Sequence, residues 1–119
     1  MRIGITGEKG FIAKNLAKEI EKQGHEFVSL DNTDYARMYM HYIEKGEVCV
    51  YQNSSDSWTG LFDYLELDVI VHNAALVGTD VVALNPRMSI NTNILGTQTI
   101  VEAANNCNML VVYLSLIHI

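Results

Sequence analysis

A chain of 119 residues is long enough for one domain with a buried core, and 49% hydrophobic against 18% charged residues suits an α/β protein whose central strands are covered on both faces. A formal net charge of −6 with no basic run argues against a nucleic-acid partner, because phosphate binding rests on clustered Lys and Arg. No apolar stretch is long enough to span a membrane, no signal segment opens the chain, and the isolated Cys49 and Cys107 form neither a metal nor a redox pair, so a cytoplasmic location with structural thiols is expected.

Short apolar runs alternate with helical segments, which predicts βαβ units and a parallel sheet. Arg2 to Thr6 reads as the first strand. Gly10 to Gln23 reads as a helix, with Ile12, Leu16 and Ile20 at four-residue spacing and Gly24 placed to end it. Glu26 to Leu30 is the second strand, Asp34 to Lys45 a helical segment rich in Tyr and Met, and Glu47 to Tyr51 a third strand. Ser57 to Leu65 is a short helix. Asp68 to His72 is a fourth strand whose Val69-Ile70-Val71 run needs cover on both faces. Asn85-Pro86 then offers a cap and a first-turn proline for a helix to about Asn106, with Ile90, Ile94, Val101 and Ala104 expected on one stripe. Met109 to Leu114 is the fifth strand. The expected architecture is a doubly wound parallel sheet in the order 3-2-1-4-5 with right-handed crossovers, stopping after the fifth strand.

The chemistry-bearing stretch is Thr6-Gly7-Glu8-Lys9-Gly10-Phe11-Ile12-Ala13, between the first strand and the first helix. Gly7 permits the tight turn, Gly10 lets backbone amides approach a pyrophosphate, and Ala13 lets the helix pack close to the sheet. Free amides and the helix dipole, joined by Phe11 and Ile12 around the phosphates, hold the anion without a basic side chain. Asp31 closes the second strand 21 residues after Gly10, where a carboxylate can accept hydrogen bonds from an adenosine ribose, with Asn32 beside it. Asp31 would repel a 2′-phosphate, and Asn32 to Ala36 supply no Arg or Lys to bind one, so NAD(H) is expected rather than NADP(H). Lys9 reads as a solvated loop lysine and His72 as a satisfied core histidine.

This glycine spacing resembles that of the extended short-chain dehydrogenase/reductases, where Thr-Gly-x-x-Gly-Phe-Ile-Gly is typical and Ala13 here replaces the last glycine. Two further blocks resemble the same family, in order. One is Asp68-Val69-Ile70-Val71-His72-Asn73-Ala74-Ala75. The other is Asn85-Pro86 followed by Asn93-Ile94-Leu95-Gly96-Thr97 and Glu102-Ala103-Ala104. Within the family they look most like the NAD-dependent epimerases and dehydratases of nucleotide sugars. The resemblance implies a Rossmann-like fold, room for the dinucleotide at Ala74 and Ala75, a hydrogen-bonding task for Asn93 at the nicotinamide side, and a homodimer. It departs at the third strand, where relatives often place an Asp at adenine and this chain reads Tyr51-Gln52-Asn53-Ser54; Asn53 is the candidate replacement.

The resemblance also implies hydride transfer between a sugar carbon and the nicotinamide. A Tyr hydroxyl with a Lys four residues later acts as general acid/base, assisted by Ser or Thr. None of the six tyrosines here has Lys at that spacing, so no catalytic residue is assigned. The ending Leu114-Ser115-Leu116-Ile117-His118-Ile119 is what CTG TCT CTT ATA CAC ATC specifies, a transposon end used in preparing sequencing libraries. Residues 1–113 are therefore expected to be the front portion of an NAD-binding domain. Residues 114–119 read as an adapter-encoded tail, and neither Ser115 nor His118 is assigned a role. Two other readings fit the same residues: a superfamily reductase of a non-sugar carbonyl, and a non-catalytic dinucleotide-binding module.

Overall fold

The computed structural model describes residues 1–73 and 86–113, with the side chains of Met88 and Ser89 left aside. The elements are β1 (Arg2–Thr6), α1 (Phe11–Lys22), β2 (Glu26–Val28), α2 (Thr33–Tyr39), β3 (Ile43–Glu44), β4 (Glu47–Val48), α3 (Ser55–Leu65), β5 (Val69–His72), α4 (Pro86–Ile90), a π-helical turn (Asn91–Leu95), α5 (Gly96–Asn106) and β6 (Leu110–Tyr113). Ala74, Ala75, the expected cap Asn85 and the tail from Leu114 lie outside the described residues.

The main sheet is parallel throughout, in the order β2-β1-β5-β6. β1 pairs β5 from Ile3↔Val69 to Thr6↔His72, and β5 pairs β6 from Val69↔Leu110 to His72↔Tyr113. The alternation of side chains along these strands makes two cores. Ile3, Ile5, Val69 and Val71 face α1, where Ala13 and Ile20 close over them. Leu30, Ile70, Trp58, Leu61, Phe62, Ile100, Ala103 and Ala104 fill the opposite layer under α3 and α5. Helices on both faces are what the unbroken Val69-Ile70-Val71 run demanded.

α1 ends as its sequence requires. Gly24 takes φ +85°, and the Gly24 and His25 amides bond back to the carbonyls of Glu21 and Ile20. At the start of the sheet, Arg2 reaches the Leu65 carbonyl through Nε and Nη2 and pairs with Glu26, fixing β1 against α3 and β2.

The expected third strand is corrected. Glu47–Val48 does not join the sheet beside β2; it pairs antiparallel with Ile43–Glu44. Lys45 and Gly46 both take positive φ, 52° and 73°, the pattern of a two-residue hairpin turn. The helix expected to reach Lys45 stops at Tyr39, where Met40 turns extended at ψ 137°. The sheet order is therefore 2-1-4-5 in the numbering of the expected strands, with the third diverted into a hairpin.

The stripe expected on the last helix is corrected as well. Ile90, Ile94 and Val101 are exposed, whereas Gly96, Ile100, Ala103 and Ala104 are buried. Ile90, Ile94 and Val101 share one exposed face, and beyond the π-helical turn at Asn91–Leu95 the helix buries Ile100, Ala103 and Ala104, of which only Ala104 belonged to the expected stripe. Thr97 and Thr99 hydroxyls donate to the Asn93 and Leu95 carbonyls at 2.7 and 2.9 Å, covering oxygens within that turn.

Candidate functional site

β1 delivers the chain to its carboxyl end at Thr6, and Gly7 then takes φ +68°, which a side chain would strain. The Gly10 amide closes the turn on the Gly7 carbonyl at 3.1 Å. Gly10 itself has an ordinary φ of −73°, and a Cβ there would meet only the Gly7 carbonyl, at 3.4 Å. The packing of the protein itself does not require glycine at this position. Gly10 caps α1 without any side-chain hydrogen bond, and no acidic residue occupies the first turn. No side chain of the helix's own first turn meets the positive end of its dipole. Phe11 is 83% exposed at the mouth of this turn and Ile12 is exposed beside it.

At the end of β2, Asp31 Oδ1 accepts from the Val48 amide at 2.8 Å. Its Oδ2 is buried with no hydrogen-bond partner among the described residues. Burial, then the nearby Glu8 and Glu47 carboxylates, push the Asp31 carboxyl up to about 7, against one lowering contact from the Val48 amide. An acceptor without a donor suits the hydroxyls of a ribose, so this end of the site fits an adenosine dinucleotide. Asn32 caps α2, its Oδ1 accepting from the Asp34 amide at 3.2 Å. Lys9 is not simply solvated: its ammonium donates to the Gly46 and Lys45 carbonyls at 2.7 and 3.3 Å, tying the hairpin to the glycine turn.

A buried network links the turn to the helix carrying Asn93. Thr97 spends its hydroxyl proton on the Asn93 carbonyl, so it accepts from His72 Nε2 at 3.0 Å. A neutral ring then leaves Nδ1 as an acceptor for the Thr6 hydroxyl at 2.7 Å, while that hydroxyl accepts from the Asn73 amide. Burial holds the His72 ring down to about 4, consistent with the neutral form. His72 is thus a core histidine with both nitrogens engaged, stacked on Tyr113 at 6.0 Å.

Asn53 is not available to adenine. It is buried, and its side chain accepts from the His41 and Tyr42 amides and donates to the Tyr42 and Cys49 carbonyls. It staples the base of the hairpin, a role visible only once the hairpin is known. Glu8, which sequence reasoning passed over, bonds the Asp31 amide at 2.7 Å and the Ser29 hydroxyl at 2.9 Å. Cys107 is structural, its thiol donating to the Thr59 carbonyl at 3.7 Å and pushed up to about 11 by burial and Asp63. Among the described residues no His, Cys, Asp or Glu cluster could hold a metal, and no helix is long and apolar enough to cross a membrane.

Comparison with known proteins agrees with this geometry. The family model described as "NAD dependent epimerase/dehydratase family" matches residues 3–116. "Protein CapI" of Staphylococcus aureus is 30% identical over 118 residues, which covers 92% of this chain and 35% of that protein. The UDP-N-acetyl-alpha-D-glucosaminuronate decarboxylase of Bacillus cytotoxicus is 31% identical over 101 residues, covering 84% of this chain and 32% of that protein. The chain thus spans about a third of the length of these relatives. Among solved structures, the Thermus thermophilus UDP-glucose 4-epimerase in complex with NAD superposes with a TM-score of 0.70 at 20% identity, covering 92% of this chain and 35% of that one. With a glycine turn opening onto an uncapped helix, a parallel sheet wound on both faces and a family match over nearly its whole length, the chain belongs to the NAD-dependent epimerase/dehydratase family.

Proposed function

We propose that residues 1–113 are the NAD(H)-binding portion of a cytoplasmic nucleotide-sugar epimerase or dehydratase, whose acid–base residues come from further chain. The observation that carries this reading is the buried, unpartnered Asp31 Oδ2 beside an uncapped helix N-terminus. Amides at Phe11 and Ile12, with Gly7 shaping the turn and Gly10 keeping its helix end open, hold the pyrophosphate. Asp31 accepts from the adenosine ribose, and the Asn32 side-chain amide is free to donate there. Ala74 and Ala75 leave room for the dinucleotide, and Asn93, located by Thr97 and His72, serves the nicotinamide side. Bound NAD supplies hydride transfer with a sugar carbon. The chain's own residues bind and orient it.

A homodimer belongs to the same reading. Ile90, Ile94 and Val101 stand 55, 61 and 46% exposed along one helical path, an apolar face suited to a second copy.

The test is made on the full-length protein. Asp31→Ala should weaken NAD⁺ binding at least tenfold, the scale of one lost charge-assisted hydrogen bond, and relax discrimination against NADP⁺. Turnover of a UDP- or dTDP-sugar by the same preparation should require NAD⁺. Unchanged affinity of Asp31→Ala for both cofactors would remove the ribose assignment.

A further inference from the structure

Glu8 has no part in the cofactor site as drawn above, yet it is bonded to the residues that carry it. A glutamate in a surface turn ordinarily extends into water. This one folds back across the gap to β2, where its Oε1 accepts from the Asp31 amide at 2.7 Å and from the Ser29 hydroxyl at 2.9 Å. Those two bonds tie the phosphate-binding turn to the strand end that presents Asp31. On the other side, the Val48 amide clamps Asp31 Oδ1, which leaves Oδ2 as the oxygen without a partner. Asp31 is thus gripped from the glycine turn through its backbone and from the hairpin through its side chain.

The charges around it share one sign. Glu8 from the turn and Glu47 from β4 both act on the Asp31 carboxyl. Lys9 is adjacent in sequence, but its ammonium is engaged by the Lys45 and Gly46 carbonyls. Two carboxylates with an engaged lysine form a poor environment for a phosphate dianion and a good one for a neutral diol.

We propose that Glu8 is a second carboxylate of the adenosine-ribose subsite, positioning Asp31 and excluding a dinucleotide that bears a 2′-phosphate. The inference rests on the assignment of Asp31 to the ribose. It carries a proton-linkage consequence. Near neutral pH the raised Asp31 carboxyl holds a proton that must leave before it can accept from the ribose hydroxyls. NAD⁺ affinity should therefore fall as pH drops below about 7, approaching tenfold per pH unit.

The experiment titrates NAD⁺ and NADP⁺ into the full-length protein between pH 5.5 and 8.5, as wild type, Glu8→Gln, Glu8→Ala and Asp31→Ala, with thermal unfolding checked for each. Glutamine keeps an oxygen acceptor for Asp31 and Ser29 but removes the charge. Glu8→Gln should move the pH midpoint lower and narrow the NAD⁺/NADP⁺ ratio about tenfold, the effect of one close charge. Glu8→Ala should weaken NAD⁺ binding by loosening the strand end. Should Glu8→Gln match wild type in midpoint and ratio while Asp31→Ala still loses NAD⁺, the Glu8 proposal is overturned and the ribose assignment stands. Should Asp31→Ala bind NAD⁺ unchanged, the assignment fails and the proposal with it.

Discussion

At the scale of single residues, buried polar groups decide more than exposed ones. Asn53 uses both side-chain donors and accepts two amides, so truncation strands several groups in the base of the hairpin. Asn53→Ala should lower unfolding free energy by about 3 kcal/mol, read as a shifted urea midpoint. His72 and Asp31 make opposite contributions to pH dependence. The folded His72 pKa is depressed from 6.5 to about 4, so its stabilising effect is complete above 6.5 and is lost as pH falls toward 4. The folded Asp31 pKa is raised from 3.8 to about 7, so its effect is complete below 3.8 and is lost as pH rises toward 7. Between pH 4 and 6.5 the two slopes oppose each other. Asp31→Asn removes one of them, and the variant's urea midpoint should climb more steeply than wild type over that interval. An unchanged slope would show that Asp31 is not protonated in the fold.

At the scale of elements, close approach sets what the helices tolerate. A Cβ on Gly60 of α3 would lie 2.6 Å from the Tyr39 ring of α2, and that ring is itself packed on Tyr64 at 5.8 Å. Helix propensity alone favours alanine at Gly60 by about 1 kcal/mol. The clash should win, leaving Gly60→Ala net destabilised by about 1–2 kcal/mol in chemical denaturation. The last helix shows why periodicity misled. Ile90, Ile94 and Val101 do share one face, but it is the exposed one, while Gly96, Ile100, Ala103 and Ala104 fill the buried side. Thr97 is the pivot, since its hydroxyl serves both the Asn93 carbonyl and His72 Nε2. Thr97→Val keeps the shape but leaves a buried imidazole N–H unpaired, and a loss of about 1–3 kcal/mol is expected in the same measurement.

At the scale of the whole molecule, the two faces of the sheet are unequally covered. Leu110 and Val112 pair with Val69 and Val71 and share their face, yet α1 does not reach them and they are 63 and 39% exposed. β6 is also an edge strand of the described sheet. An apolar edge of this kind invites addition of a strand from another copy. The 119-residue chain by itself is expected to self-associate in light scattering. Leu110→Lys with Val112→Lys should raise the monomer fraction. A wild-type chain that stays monomeric and unfolds cooperatively would contradict this.

The local pattern of residues was sufficient for the parts of the protein that depend on neighbours in sequence. The glycine turn, the Gly24 helix end, β1 and β5 and their burial on both faces all follow from steric and hydrophobic rules acting within a few residues. The place of Asp31 just after the second strand was legible too, because its distance from the glycines is itself a chain-local quantity. The hairpin was signalled weakly, by Lys45-Gly46 alone, and a competing Tyr- and Met-rich helical pattern masked it. What only the tertiary structure decided involves pairs far apart in the chain. Val48 bonds Asp31 and not a β2 strand partner, Asn53 serves the hairpin, and Glu8 turns back to Ser29 and Asp31. A hydrogen bond between residues 17 to 23 positions apart leaves no periodic trace, because its partners are chosen by where the fold brings their backbones.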